Sequence, residues 1–358
     1  PPADEKDIEY IAQLIRSASS PLLICGHHAG EKDVSAALTQ FIKKTCIPFA
    51  TTQMGKGAVN ENHNLYMGTT ALSEDDFVHR MAGKSDLLIM VGHNESEKPP
   101  LMACCHEQTV IHIHKAAPDI NETYFPSHAL VGNLAGTLEI LGQKLDNAGH
   151  EEFNKYKSAF IDHEENLRAE AIPLQIVDQV RTAMPDDGIV TLDNGMYKIW
   201  FARHYRARGV HTLLLDNALA TMGAGLPSAI AAKLVYPDRP VLAVCGDGGF
   251  IMGGQDLETA IRLKLDLVIL ILRDNKFGMI SWKQEVDGYD DFGLDFGNPD
   301  FAALAESYGA HGHRVEETKD LAAQIKECQK QGGVHLIETP IDYSADHIFS
   351  ELNEITSI

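Results

Sequence analysis

The chain has 358 residues, enough for two domains of ordinary size. Its 51 acidic against 30 basic side chains leave a net charge of −21, which excludes nucleic acid and anionic membrane surfaces as general partners but not a small anion held through a metal. No apolar run approaches the roughly 18–20 residues of a membrane span and no signal peptide is recognised, and the six scattered cysteines, Cys104-Cys105 being the one adjacent pair, form no CxxC spacing, so free thiols in a reducing cytoplasm are expected.

In chain order, Ile8, Ile11, Leu14 and Ile15 share a stripe that predicts a helix from Asp4 to Arg16. Pro21–Gly26 reads as a strand ending in glycine, His27-His28-Ala29-Gly30 as a turn into a helix carrying Val34, Leu38 and Phe41. Further strands are predicted at Ile47–Thr51, Asp86–Gly92 and Val110–His114, with a closing helix over Leu134–Leu145. Apolar strands alternating with helices predict a parallel sheet covered on both faces. Gly26-x-x-x-Gly30 is not a dinucleotide fingerprint, and a plain strand–helix turn is the better reading. His112 and His114 share a strand face and are two potential metal ligands, but no third is evident nearby. These two, His27-His28 and His311/His313 are read as solvated or hydrogen-bonded histidines.

The charged stretch after Gly149 reads as a linker and helix, giving a central domain at 1–148, a linker at 149–172 and a last domain at 173–358. In that last domain helix Leu174–Ala183, strand Gly188–Asp193 and helix Tyr197–Tyr205 alternate again. Strands follow at Val241, at Val268, near His311 and at Val334–Ile337. The expected fold class is therefore α/β, with two doubly wound parallel-sheet domains.

The chemistry concentrates at Val241–Met279. One apolar run ends in Gly246-Asp247-Gly248-Gly249, the next in Asp274-Asn275-Lys276-Phe277-Gly278-Met279. Open α/β sheets place ligands at such strand ends. Gly248 and Gly249 let backbone N–H groups approach an anion, and a helix is expected to start near Gly253. Two bare carboxylates would repel a phosphate. A Mg²⁺ ion between Asp247 and Asp274 resolves the conflict, so a Mg²⁺-bound diphosphate is the expected ligand. At another strand end, Gly195 and Met196 offer amides, and Lys198 offers charge to a phosphate or is a plain surface lysine.

Gly246-Asp247-Gly248, followed about 26 residues later by Asn275, resembles the thiamin-diphosphate signature. The runs Leu215–Pro227 and Gly293–Phe301 are similar to acetolactate synthase, and the likeness extends through nearly the whole chain. The resemblance implies the Rossmann-like central domain and the diphosphate-binding domain of that family. The family's pyrimidine-binding domain has no counterpart here, so an N-terminally truncated product is expected, with half a site and no activity by itself.

The resemblance also implies roles. Met222 is the wedge that bends the cofactor. Gly195, Met196, Lys198, Ala220, Gly246, Asp247, Gly248, Gly249, Asp274, Phe277, Gly278 and Met279 surround it. The metal ligands are Asp247, Asp274 and the Lys276 carbonyl, with Asn275 as the alternative if the register slips by one. Lys283, with Met279, faces the substrate region where biosynthetic synthases carry a Trp; the catabolic type has Gln. This departure favours pyruvate with pyruvate, yielding 2-acetolactate and CO₂ for acetoin or branched-chain synthesis. FAD is not expected, because Val91–Pro100 is unlike the FAD-contacting loop of the biosynthetic type. A cytoplasmic homodimer or homotetramer of the full-length protein is implied. The alternatives are another thiamin enzyme, such as a pyruvate oxidase or 2-keto-acid decarboxylase, and a non-catalytic nucleotide-binding or assembly module.

Overall fold

The computed structural model describes the chain except residues 71–76, 95, 98–107, 121–123, 149–156, 159–160, 162–164, 167, 169–170 and 344–358. Cys104-Cys105, most of the expected linker and part of the Val91–Pro100 loop lie outside the described residues. The chain forms two compact units. Among the described residues, the first comprises residues up to 166 together with 206–211, and the second those from 168 to 205 and from 212 to 343.

In the first unit, α1 (Glu5–Ser17) starts where the Asp4 carboxylate accepts the Lys6 N–H at 2.8 Å, and its Ile8, Ile11 and Ile15 face the core. Then follow β1 (Pro21–Cys25), α2 (Lys32–Thr45), β2 (Phe49–Thr51), β3 (Tyr66–Thr69), α3 (Phe77–Lys84), β4 (Leu87–Val91), β5 (Thr109–His114), β6 (His128–Val131) and α4 (Leu134–Gln143). All six strands are parallel, in the order β3-β2-β1-β4-β5-β6. The apolar runs of β1 and β4 are buried on both faces, as a sheet covered by helices on both sides requires.

The strand order reverses between β1 and β4, where an open sheet would take a ligand. Here the chain closes on itself. The Glu97 carboxylate accepts the backbone N–H of His27 at 2.8 Å and of Asn94 at 2.9 Å, and it also accepts the Thr52 hydroxyl. A Cβ on Gly26 would lie 2.6 Å from the His93 Cα, so the missing side chain serves the approach of the protein's own backbone. His112, His114 and His28 are hydrogen-bonded, as expected. His112 meets the Tyr124 hydroxyl at 2.7 Å, His114 accepts the Ala116 N–H at 3.1 Å, and His28 pairs with Glu31 at 2.8 Å.

The second unit runs α5 (Ile172–Ala183), β7 (Ile189–Leu192), α6 (Tyr197–His204), β8 (Leu213–Leu215), α7 (Gly225–Val235), β9 (Val241–Gly246), α8 (Asp247–Gly253), α9 (Leu257–Arg262), β10 (Leu267–Arg273), α10 (Gly278–Val286), α11 (Phe301–Tyr308), β11 (His311–Arg314), α12 (Leu321–Gln331) and β12 (Val334–Pro340). Its strands are also all parallel, ordered β11-β12-β10-β9-β7-β8. The order reverses between β7 and β9, so the ends of those two strands mark this sheet's crevice. The helix expected near Gly253 begins at Asp247 instead, with Gly248 and Gly249 in its first turn. Glycine's poor helix propensity hides such a start in sequence; packing fixes it here. Cys25, Cys46, Cys245 and Cys328 are free thiols, and all but Cys46 are buried.

Candidate functional site

Asp193 ends β7 and organises the crevice. Its buried carboxylate accepts the Asn194 N–H at 2.8 Å, the Gly223 N–H at 2.8 and 3.1 Å, and the Ala224 N–H at 3.2 Å. A Cβ on Gly249 would lie 2.4 Å from its Oδ2, so only glycine lets the first turn of α8 pack there. Burial holds the Asp193 carboxyl above the usual range, opposed by those N–H groups and by Lys198. One side chain thus fastens the Asn194–Met196 turn, the turn carrying Met222, and α8. Apart from the adjacent Asn194, its hydrogen-bond partners lie 30 and 31 residues on, so the local sequence does not mark its role.

Tyr197, the first residue of α6, supplies a second tie. Its buried hydroxyl accepts the Gly246 N–H at 2.8 Å, setting the Gly195-Met196 turn beside the end of β9. Lys198 is not a surface lysine: it is buried, and its ammonium donates to Asn194 Oδ1 at 2.7 Å and to the Asp216 carbonyl. Burial lowers its pKa to about 8. The Asp216 carboxylate in turn accepts the Ala218 and Thr221 N–H groups, shaping the turn that holds Ala220 and Met222. Ala220 sits at φ +49°, in the left-handed region that alanine rarely occupies. Met222 is half-buried.

Across the crevice, Asp247 is buried. It accepts the Gly248 N–H at 2.8 Å on Oδ1, and the Asn275 N–H and the Asn298 amide, each at 2.7 Å, on Oδ2. The Asp274 carboxyl meets that of Asp247. Burial first, then the facing charge, raises it well above the usual carboxylate range. Among the described residues neither carboxylate makes an ion pair. The Lys276 ammonium is drawn away to Asp291.

Lys276 also forms a β-bridge with Asp295 whose hydrogen bonds run through its neighbours, Phe277 N–H to Leu294 O at 3.2 Å and Phe296 N–H to Asn275 O at 3.5 Å. The Lys276 carbonyl is outside that ladder. The two carboxylates, with the Lys276 carbonyl as a further candidate, are hard oxygen donors of the kind Mg²⁺ takes. Asn275, held at φ +58°, directs its amide oxygen to Asn298 at 2.9 Å. The Phe277 and Phe296 rings, 4.8 Å apart, lie over Gly248, where a Cβ would meet Phe277 at 2.8 Å.

The structure therefore gathers Gly195, Met196, Lys198, Ala220, Met222 and Gly246–Gly249 around Asp193, and ties Asp274–Phe277 to Asp247. Gly278 and Met279 open α10 from the same strand end. Lys283 is exposed, with its ammonium 5.1 Å from the centre of the Trp282 ring. Asn298 escaped sequence reading. Its amide joins Asp247 to Asn275, and its own Oδ1 is buried without a hydrogen-bond partner. The only textual signal is its place in Gly297-Asn298-Pro299-Asp300.

Two family models match the chain. Residues 193–339 match the family described as thiamine pyrophosphate enzyme, C-terminal TPP binding domain, and residues 8–141 match thiamine pyrophosphate enzyme, central domain. Among curated relatives, an acetolactate synthase of Bacillus subtilis (strain 168) is 30% identical over 365 residues, covering 96% of this chain and 62% of the relative. A putative thiamine pyrophosphate-containing protein of the same bacterium is 32% identical over 325 residues, covering 88% and 56%. A catabolic acetolactate synthase of Raoultella terrigena is 30% identical over 357 residues, covering 95% and 63%. The chain spans about three fifths of the length of these relatives. It belongs to the thiamine pyrophosphate enzymes, carrying their central domain and their C-terminal TPP-binding domain.

Proposed function

We propose that this chain is the cofactor-holding part of an acetolactate synthase, which condenses two pyruvates to 2-acetolactate and CO₂ with thiamin diphosphate and Mg²⁺. The observation that carries the reading is the facing pair Asp247 and Asp274 at the strand ends beside the sheet's switch point, with glycine amides next to it and, among the described residues, no ion pair to either carboxylate. The acetolactate synthases among its relatives point the same way.

In this reading Asp247, Asp274 and the Lys276 carbonyl hold the cation, and the Asn275 side chain, engaged by Asn298, is not a ligand. Gly248, Gly249, Gly195 and Met196 receive the diphosphate by backbone. Lys198 positions the Asp216–Thr221 turn and adds positive charge below pH 8. Met222 supports the cofactor; Phe277, Gly278 and Met279 wall the cavity, and Lys283 stays at the substrate side. Bound thiamin diphosphate supplies the electron sink for decarboxylation. The chain's own groups bind, orient and exclude water.

Binding without turnover is the expectation for these 358 residues. The exposed Leu219, Tyr289 and Phe292 support a dimer or tetramer of the whole protein. Glu97, filling the first sheet's switch point, supports the reading that no FAD binds there. We place the protein in the cytoplasm, on the strength of the free thiols of Cys25, Cys46, Cys245 and Cys328.

Calorimetric titration of the chain with thiamin diphosphate, with and without Mg²⁺, tests the reading. Metal-dependent binding supports it; metal-independent binding, or steady acetolactate production by this chain alone, counts against it. The 32% identical relative, whose name specifies the cofactor and no reaction, favours a second reading as a different thiamin enzyme. Product analysis of the full-length protein separates the two: acetolactate supports the first, acetyl phosphate or an aldehyde the second.

A further inference from the structure

At the opposite ends of the second sheet's strands, away from the acidic pair, three other groups converge. His313 lies on edge strand β11, His335 is the second residue of β12, and Cys328 comes from α12. Their ligating atoms all lie within 4.8 Å of one another. His335 and Cys328 are buried, while His313 is partly open. The His313 and His335 rings stack at 5.2 Å with Nε2 of the first 2.9 Å from Nδ1 of the second.

The tautomer of His335 is set by its surroundings. Its Nε2 lies 2.8 Å from the Gly332 carbonyl, which can only accept, so the ring proton sits on Nε2. The lone pair on Nδ1 therefore points into the cluster. A backbone carbonyl fixing the far ring nitrogen is how proteins prepare histidine as a metal ligand. The Gln324 amide spans the other two groups, 3.2 Å from His313 Nδ1 and 3.4 Å from Cys328 Sγ.

We propose that His313, His335 and Cys328 form a second metal site, for Zn²⁺, distinct from the Mg²⁺ cradle. One sulfur and two imidazole nitrogens are the donor set of a borderline-soft ion. Zn–N bonds of about 2.0–2.1 Å and a Zn–S bond of about 2.3 Å in tetrahedral geometry place the donors roughly 3.3–3.7 Å apart. The two nitrogens must open by a few tenths of an ångström, and the most distant pair must close by about 1 Å. Water fills the fourth position on the open side of His313. The ion fastens the edge strand β11 to β12 and α12, a structural role.

Cobalt(II), which reports tetrahedral thiolate coordination by its colour, provides the test. The 358-residue chain, without affinity tag and stripped with chelator, is titrated with Co²⁺. One equivalent should give visible d–d bands and a near-ultraviolet thiolate-to-cobalt band, both bleached by Zn²⁺. Cys328→Ser should abolish the thiolate band and His335→Gln should weaken binding at least about tenfold, while Asp247→Ala should keep the full spectrum. Zn²⁺ should raise the melting temperature of the wild-type chain and leave Cys328→Ser unmoved. Absence of the thiolate band, or its survival in Cys328→Ser, overturns the proposal. If either variant does not fold by circular dichroism, His313→Gln, at a partly open position, decides: tenfold weaker Co²⁺ binding supports the site, and unchanged binding overturns it.

Discussion

The two sheets share a topology class and differ at the point that matters. Each is six-stranded and parallel, and each reverses its strand order beside a glycine-bearing strand end. In the first, the amides at that point are taken by the chain's own Glu97, and the space at Gly26 is taken by the backbone of His93. In the second, the chain brings two carboxylates together and, among the described residues, forms no ion pair with either. Glycine at a switch point is thus no evidence of a ligand. What separates a closed turn from a receptive one is whether the neighbouring charges are already satisfied.

The sharpest way to break this contrast is Asp247→Ala. It should weaken Mg²⁺-dependent thiamin diphosphate binding by about 100-fold or more, roughly 3 kcal/mol, in a calorimetric titration. Retained affinity would remove the second switch point from consideration. Glu97→Ala is the counterpart in the first sheet. It leaves the amides of His27 and Asn94 without their acceptor and should cost about 2 kcal/mol in urea unfolding, with cofactor affinity unchanged. A tenfold loss of affinity instead would mean that the two ends do not differ as described.

Asn298→Ala sharpens the second half. It removes the donor to Asp247 and Asn275 and should weaken Mg²⁺-dependent binding by about tenfold, the scale of a lost outer partner of a metal ligand. The smallest effect concerns Lys198. Its folded pKa of about 8 lies below its ordinary 10.5, so between those values the unfolded chain holds more protons and stability rises with pH. Below pH 8 the cost of burying the charge is fully present. Lys198→Met should flatten the rise, as read from urea midpoints at pH 8 and pH 10.

Continuous apolar runs made β1, β4, β9 and β10 legible, because a strand buried on both faces shows no alternation. Tyr66–Thr69, His128–Val131 and Leu213–Leu215 went unread. All three are edge strands of three or four residues whose pairing is decided by the sheet rather than by their composition. The same holds within the site. Asp247 and Asp274 stand in a readable motif, whereas Asp193 and Asn298 act through partners tens of residues away. Lys198 read ambiguously because a lysine's burial depends on acceptors elsewhere, here Asn194 and the Asp216 carbonyl.

That every strand lies parallel to its neighbours also bears on how the molecule is made. No pair of adjacent strands can close through a tight hairpin; each pairing waits for a crossover connection to pack. β7 meets β9 only after β8 and α7 have been laid down between them, and β10 then docks on β9. The Asp193 clasp and the Asp247–Asp274 encounter therefore belong to the slow, late stage of assembly, as long-range parallel pairings do.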